Sequence, residues 1–458
     1  MTPVIDVHAH IFSAKDIPVE GYLLSREPAM LLEQILHLCG LRRVLIPIVS
    51  KCIRKEADRD EKKNLPSNSM CDLIMGLISM CMKHYREWAR TLSKDIKGVT
   101  QELVGTYEKD GIDLWVPAMV DYEYWFKNTV DTPIEKQIRD IHQQIILPGE
   151  GRIHPFVAFD PARELAFRKH MLNPDRKPEL FGSLDLVKDA IENKGFIGVK
   201  LYNAMGYKPF NNATVDGKRR KRIRLHKKMG YHVFKGEEYD QVLSELYDYC
   251  VENDVPITTH CGMYGIESYH NASFDFGQAV FWHEVLSQKR YENLRLNLAH
   301  FGWTQEHRYH GKKGWVKDIC EMLIKYNCLF TDVSHHRVLS DKNRRKFKSD
   351  YEDMRDDWQK DWPHIKKRIL FGTDWHVLKR VKGYEDFKKG YIEVLKHKSL
   401  FTDPEIEDFL GGNAVNFLGL LPGGKNRQRL EKFYDDNEID HPEWFGRTAG
   451  LEPKPECS

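Results

Sequence analysis

The sequence lacks the features that would place the chain in a membrane, in a disulfide scaffold or on nucleic acid. Its longest apolar stretch, residues 71–82, is too short to span a bilayer as a helix. The nine cysteines are scattered without a Cys-x-x-Cys pair, which favours a reducing compartment. The 70 basic residues nearly balance the 68 acidic ones, so the chain as a whole is not expected to attract nucleic acid or membranes. Because an apolar stretch begins almost at Met1, we expect no signal peptide and predict a cytoplasmic protein.

A glycine-rich phosphate-binding turn is also missing after the first apolar segment, which disfavours a doubly wound sheet. Eight segments predict strands, and most are unbroken apolar runs, as in parallel strands buried on both faces. Helical segments follow several of them. We therefore predict an α/β fold, a (β/α)8 TIM barrel with its site at the C-terminal ends of the strands. The predicted strands are residues 4–8, 114–120, 153–159, 197–201, 256–260, 295–300, 328–333 and 368–373.

Two insertions interrupt this repeating pattern. The first follows strand 1 and spans about a hundred residues, far more than a βα loop needs. We predict that residues 25–110 form a helical insertion that caps the barrel, mediates a homo-oligomer, or does both. The second insertion, residues 208–236, follows strand 4 and is basic. The barrel is predicted to comprise residues 1–24 and 111–420, and residues 421–458 a C-terminal extension that is polar and loop-like from Arg427 onward.

The basic insertion contains a run of lysine and arginine over residues 218–228, which a barrel would place near the rim of its mouth. Most charge runs are simply solvated, and we favour that interpretation. Recruitment of an anionic substrate or of nucleic acid is the functional alternative. Aromatic residues are not interleaved with these charges and no nucleic-acid-binding motif is present, so nucleic acid is not expected as a partner.

His8 and His10 lie two residues apart at the end of the first predicted strand, so their imidazoles point the same way. Two neutral imidazoles form half of a transition-metal site. The pair alone is weak evidence, because a chain with 21 histidines contains about one His-x-His by chance. Whether the pair indicates a metal site depends on the residues at the ends of the other strands.

Four further strands end in a metal-binding or acid–base residue: Lys200 on strand 4, His260 on strand 5, His300 on strand 6 and Asp374 on strand 8. Taken singly, such residues are more often core histidines, helix N-caps or solvated lysines. In a barrel, however, the C-terminal ends of all strands converge on one mouth. Their joint occurrence therefore predicts a single site.

The strand ends carry recognisable motifs. They are Ile5-Asp6-Val7-His8-Ala9-His10, Pro155-Phe156-Val157-Ala158-Phe159-Asp160-Pro161, Gly198-Val199-Lys200-Leu201, Thr259-His260, Ala299-His300-Phe301-Gly302, Gly372-Thr373-Asp374 and Gly412-Asn413-Ala414. With these motifs the chain resembles the amidohydrolase superfamily, and within it the amidohydrolase 2 group, from Val4 to about Leu420. The resemblance implies a metal-dependent barrel. Proteins of this kind mostly hydrolyse amides, esters or lactones, and several relatives are non-oxidative decarboxylases.

The chemistry expected of these residues is water activation by a divalent cation. Zn²⁺ fits the ligand types, with Mn²⁺ as an alternative, on His8, His10, Asp374 and His260. The cation would lower the pKa of its water, and Asp374 would act as the general base. His300 would polarise the scissile carbonyl or stabilise the developing oxyanion.

A two-metal site is the alternative. There, a carbamylated Lys200 would bridge the two ions, and His260 and His300 would hold the second. Carbamylation needs a neutral amine, so burial or a metal must lower the lysine pKa.

Several residues near the strand ends are candidates for the pocket wall. Arg337 follows strand 7 and could bind a substrate carboxylate, although a solvent-facing arginine is as good an interpretation. Tyr202 and Trp303 follow site residues and could contact a substrate, with ordinary packing as the alternative. Cys261, next to His260, is expected to be an inert buried thiol.

We therefore predict a metal-dependent hydrolase that cleaves an amide, ester or lactone bond of a small, anionic substrate. A metal-dependent decarboxylase of an aromatic or unsaturated carboxylic acid is the first alternative. An anion- or nucleic-acid-binding barrel without turnover is the second, and retention of all the metal-type residues argues against it.

Overall fold

The computed structural model describes residues 2–18, 88, 90–125, 130–169, 181–215, 234–263, 265–269, 271–302 and 314–451. These residues contain eight parallel strands, and each overlaps a segment that the sequence predicts. The strands are β1 (Ile5–Ala9), β2 (Leu114–Pro117), β3 (Phe156–Ala158), β4 (Gly198–Leu201), β5 (Ile257–Thr259), β6 (Leu296–Leu298), β7 (Leu329–Asp332) and β8 (Ile369–Leu370).

The strands form a closed ring. β1 pairs with β2, and β3 to β8 pair in sequence order. A parallel bridge between Trp115 and Ile153 joins the two sheets on one side. On the other side, Val7 donates its backbone N–H to the carbonyl of Phe371 over 3.1 Å, which connects β1 to the end of β8. The predicted (β/α)8 barrel is confirmed.

Both faces of the strands are covered, as their unbroken apolar composition requires. Every residue of the eight strands is buried. The helices are α1 (Ile96–Thr106), α2 (Ile134–Ile141), α3 (Pro161–Arg168), α4 (Ser183–Asn193), α5 (Gly236–Glu252), α6 (Ala272–Phe276), α7 (Val280–Leu286), α8 (Trp315–Lys325), α9 (Asp341–Asp357), α10 (Trp362–Lys366), α11 (Trp375–Leu378), α12 (Phe387–Leu395), α13 (Asp403–Glu407), α14 (Asn413–Phe417), α15 (Lys425–Asp436) and α16 (Glu443–Thr448).

Local sequence explains how these helices begin and which face they bury. Asp160 caps α3 by accepting a hydrogen bond from the backbone N–H of Arg163 over 2.8 Å, with Pro161 at the first helical position. α4 buries Leu186, Val187, Ala190 and Ile191, which share one face at a helical spacing.

The helical region near the end of the barrel is interrupted. α13 and α14 are separated by a π-helical segment over residues 408–412. Gly411 explains part of this geometry, because a Cβ there would lie 1.6 Å from the carbonyl oxygen of Pro3. The chain can therefore pass this close to the start of β1 only with a glycine at that position.

Over residues 421–451, the part of the C-terminal extension that the structure describes, two helices replace the predicted loop-like chain, so that prediction was wrong. These helices, α15 and α16, bury five apolar side chains against the barrel: Leu430, Phe433, Tyr434, Trp444 and Phe445. Tyr434 contacts the buried His154 beside β3, with 2.8 Å between the hydroxyl and Nε2. The high polar content of the segment hid a helical spacing of large apolar residues.

Both insertions lie largely outside the described residues. Residues 25–87 and 89 of the first and residues 216–233 of the second, including the basic run, fall there. Within the described part, α1 lies in the predicted insertion, and Lys379 of the barrel donates to Thr91 just before it.

Among the described residues, no helix is both long and apolar enough to cross a membrane.

Candidate active site

β1 and the residue after it place the imidazoles of His8 and His10 side by side, with ring centroids 5.4 Å apart. Nδ1 of His10 lies 2.7 Å from the carbonyl oxygen of Ala118. Because a carbonyl can only accept, Nδ1 carries the hydrogen and Nε2 presents its lone pair. Nδ1 of His8 lies 3.0 Å from a carboxylate oxygen of Asp332, which leaves its Nε2 in the same state. Burial lowers the pKa of both imidazoles, which favours the neutral form that metal binding requires.

Asp374 completes a group of three with these histidines. It follows β8, and its backbone N–H donates to the carbonyl of His8 over 2.7 Å, which ties the end of β8 to β1. Its Oδ1 lies 3.7 Å from Nε2 of His10. One ligand atom each from His8, His10 and Asp374 lie within 4.8 Å of one another. Asp374 has φ +49°, a left-handed conformation that aspartate tolerates better than most residues.

This donor set fits a divalent cation. Oδ1 of Asp374 is buried and has no hydrogen-bond partner among the described residues. A buried acceptor without a partner is destabilising, and a cation at this position would satisfy it. Burial, opposed by the charge of Lys200, raises the pKa of Asp374 well above its usual range. Two imidazole nitrogens and a carboxylate oxygen suit Zn²⁺ or Mn²⁺.

His260 and His300 lie at the ends of β5 and β6 and face each other. Nδ1 of His260 is 3.2 Å from Nε2 of His300. His260 does not belong to the group formed by His8, His10 and Asp374. His300 and the following Phe301 have φ +70° and +49°, so the chain turns sharply at the end of β6. The ring of His300 also lies 4.8 Å from that of His8, centroid to centroid.

Two residues of the site were missed by sequence analysis, Asp332 and Ser334 at the end of β7. Asp332 accepts hydrogen bonds from the side chains of His8 and Asn297 and from the backbone N–H of His300 and Ser334. Asp332 is the penultimate residue of the predicted seventh strand, so its position already pointed to the C-terminal end of the barrel. His8, His300 and Asp332 form a second group with metal-ligand spacing.

Lys200 is buried in the barrel interior, as its position at the end of β4 predicts, and it is 1% exposed. Its Nζ has no hydrogen-bond partner among the described residues. Burial lowers the Lys200 pKa to about 8, against the opposing charges of Asp332 and Asp374. A neutral amine is therefore accessible near physiological pH, which is the condition that carbamylation requires.

The predicted substrate-contacting residues have different surroundings. The Tyr202 ring lies 4.9 Å from the ring of His260, and its hydroxyl accepts from the backbone N–H of Ile266. Arg337 is exposed. Trp303 lies outside the described residues. Cys261 is a free, fully buried thiol whose pKa is raised by burial, in agreement with the expectation of an inert cysteine.

A family model described as Amidohydrolase matches residues 147–420, which is more than half of the chain and includes β3 to β8. The chain belongs to the amidohydrolase family. Members of this family are metal-dependent enzymes that act on small molecules, in agreement with the donor set at the barrel mouth. No curated protein matches the chain in sequence.

Solved structures of similar architecture include three bacterial proteins. One, from Pseudomonas putida, is provisionally named a 2-pyrone-4,6-dicarboxylic acid hydrolase; it is 11% identical, with a TM-score of 0.44 over 92% of this chain and 98% of that one. A zinc-bound amidohydrolase from Burkholderia multivorans is 9% identical, with a TM-score of 0.41 over 74% and 94%. A manganese-bound 5-carboxyvanillate decarboxylase from Novosphingobium aromaticivorans is 10% identical, with a TM-score of 0.40 over 91% and 97%. At this level of similarity, none of these names bears on the reaction of the present chain.

Proposed function

We propose that this amidohydrolase is a hydrolase that cleaves an amide, ester or lactone bond of a small anionic substrate with a metal-activated water. The observation that carries the proposal is the convergence of His8, His10 and Asp374, with an Asp374 oxygen that lacks a hydrogen-bond partner among the described residues. When bound, a divalent cation supplies Lewis acidity, which lowers the pKa of a coordinated water and polarises a substrate carbonyl.

Asp374 is the proposed general base. Its two carboxylate oxygens face different neighbours, since Oδ1 is 3.7 Å from Nε2 of His10 and Oδ2 is 4.0 Å from Nδ1 of His335. One oxygen can therefore serve as a ligand while the other accepts a proton from water. The same oxygen can then deliver that proton to the leaving group, so the carboxylate is restored at the end of the reaction.

Lys200 is the proposed reason for an anionic substrate. A buried ammonium group is stabilised by a nearby negative charge, and a substrate carboxylate could supply one. Carbamylation of the same amine would instead make Lys200 a ligand in a two-metal site. A carbamate on Lys200, detected by electron density or mass analysis, would favour two ions over one. Zn²⁺ is the proposed ion, with Mn²⁺ as the alternative.

Isotope labelling distinguishes hydrolysis from decarboxylation. The protein, reconstituted with Zn²⁺ or Mn²⁺, is incubated in H₂¹⁸O with a panel of lactones, amides, esters and ¹³C-carboxyl aryl acids. We expect ¹⁸O in the product acid, because hydrolysis adds one oxygen atom from water to the acyl carbon. We expect no ¹³CO₂. Protein treated with a chelator is the control and should give neither product.

Release of ¹³CO₂, with hydrogen replacing the lost carboxyl group in the product, would overturn the hydrolase proposal in favour of a decarboxylase. A metal-loaded protein that binds panel members without converting any of them would favour the non-catalytic alternative.

A further inference from the structure

Ser334 is a buried hydroxyl that contacts three groups of the site at once. Its Oγ lies 2.7 Å from Nδ1 of His300 and 3.1 Å from Nδ1 of His8, and it makes a short hydrogen bond to Oδ1 of Asp332. The residue is fully buried. A serine hydroxyl has only one hydrogen to donate, so these contacts constrain where the neighbouring hydrogens lie.

The hydrogen positions can be assigned by starting from Asp332. Its carboxylate already contacts groups that can only donate a hydrogen bond. These are the backbone N–H groups of His300 and Ser334 and the side-chain NH2 of Asn297. It is therefore an acceptor, and the hydroxyl of Ser334 donates to it. The lone pairs of Ser334 then face Nδ1 of His300.

Nδ1 of His300 must carry a hydrogen in this arrangement. It faces the lone pairs of the Ser334 hydroxyl and, at 3.4 Å, the Ser334 backbone carbonyl, which can only accept. A neutral imidazole has one N–H, so Nε2 of His300 is left as an acceptor. The hydrogen between the two rings consequently belongs to Nδ1 of His260, and Nε2 of His260 keeps its lone pair.

We propose that Ser334 is a positioning residue that fixes the tautomers of His300 and His260 through a one-way chain of hydrogen bonds ending on Asp332. The chain runs from His260 Nδ1 to His300 Nε2, from His300 Nδ1 to Ser334 Oγ, and from Ser334 Oγ to Asp332. As a consequence, Nε2 of His260 carries no hydrogen and presents its lone pair. The proposal rests on the proposed function only because it treats His260 as a group of the reacting site.

This assignment revises the role that the sequence suggests for His300. A residue that polarises a carbonyl must donate a hydrogen, but Nε2 of His300 has none to donate and Nδ1 is directed at Ser334. His300 acts instead through His260. Substitution of a residue that supports a metal site in this way typically lowers metal affinity or activity by about 10–100-fold.

The direct test is ¹⁵N NMR of histidine-labelled, metal-free protein, which reports which ring nitrogen carries the hydrogen. We expect Nδ1–H for both His260 and His300 in the wild type. In Ser334→Ala, His300 should shift towards the Nε2–H form, and Ser334→Thr, which keeps the hydroxyl, should restore the wild-type pattern. Ser268→Ala is the matched control, because Ser268 is also a fully buried serine but is absent from these contacts.

A metal titration gives a second readout. We expect the apparent metal affinity or kcat of Ser334→Ala to fall by about 10–100-fold relative to Ser268→Ala, with little change in KM. An Nε2–H form of His300 in the wild type would overturn the proposal, and that measurement needs neither a variant nor a substrate. So would a Ser334→Ala protein with unchanged tautomers. Because the spectra need neither metal nor substrate, the tautomer test can fail or succeed independently of the proposed function.

Discussion

Asp374→Asn is expected to lower kcat by ~10²–10⁴ at saturating metal, because it removes the proposed general base. The asparagine side chain keeps the shape of aspartate and can still offer an oxygen to a cation. It also tolerates the left-handed backbone at this position, where φ is +49°. The loss should therefore reflect the missing basicity rather than a distorted loop.

Asp254→Asn is the matched control for this substitution. Asp254 also has a left-handed backbone, with φ +52°, but it precedes β5 and so lies at the opposite end of the barrel from Asp374. Its kcat should stay near that of the wild type. The measurement is kcat per bound metal, with the metal content of each protein determined in parallel. An Asp374→Asn protein that keeps its metal and a near-normal kcat would exclude the proposed role of Asp374.

Arg163→Met is expected to lower the free energy of unfolding by about 3–5 kcal/mol, because it leaves buried carboxylates without their partner. Arg163 is completely buried on α3 and pairs with Asp121 and Glu123 on the loop after β2 and with Glu135 in the first turn of α2. Its Nε is 2.5 Å from Asp121 and its Nη1 is 3.1 Å from Glu135, and Glu123 accepts from Nη2. Burial and the charge of Asp121 raise the pKa of the adjacent Asp160 to about 7.

Arg168→Met provides the control on the same helix. Arg168 pairs with Glu164 and Glu245, but its side chain is 32% exposed. Solvent screening makes such pairs weak, and we expect a change of about 0–1 kcal/mol. Chemical denaturation at neutral pH measures both variants. Equal losses in the free energy of unfolding would contradict the expectation that the buried ion pairs of Arg163 stabilise the fold more than the exposed pairs of Arg168.

The fold was largely predictable because its main signal is local. Unbroken apolar segments identify strands buried on both faces, and barrel topology then brings their C-terminal ends together. The two-residue spacing of His8 and His10, followed by Asp374 at the end of β8, was enough to predict the group that the structure brings within 4.8 Å. The helices of the C-terminal extension were missed because their few apolar residues are separated by charges.

The supporting network of the site could not be predicted from sequence. Asp332 and Ser334 matter because of what they contact, and these contacts join β7 to β1 and β6 across more than thirty residues of sequence. The contact between His260 and His300 depends on the left-handed turn at His300, which no local motif specifies. Arg163 looks like an ordinary surface arginine in the sequence, and only the packing of three acids around it explains its burial.

The most direct test of the metal site is elemental analysis of the His8→Ala/His10→Ala protein. We expect at least one divalent metal per chain in the wild type and stoichiometric loss in the double variant, with circular dichroism confirming that the variant is folded. His397→Ala/His441→Ala, which removes two histidines with much greater exposure, should keep the wild-type metal content. A folded His8→Ala/His10→Ala protein that retains its metal would contradict the assignment of the site.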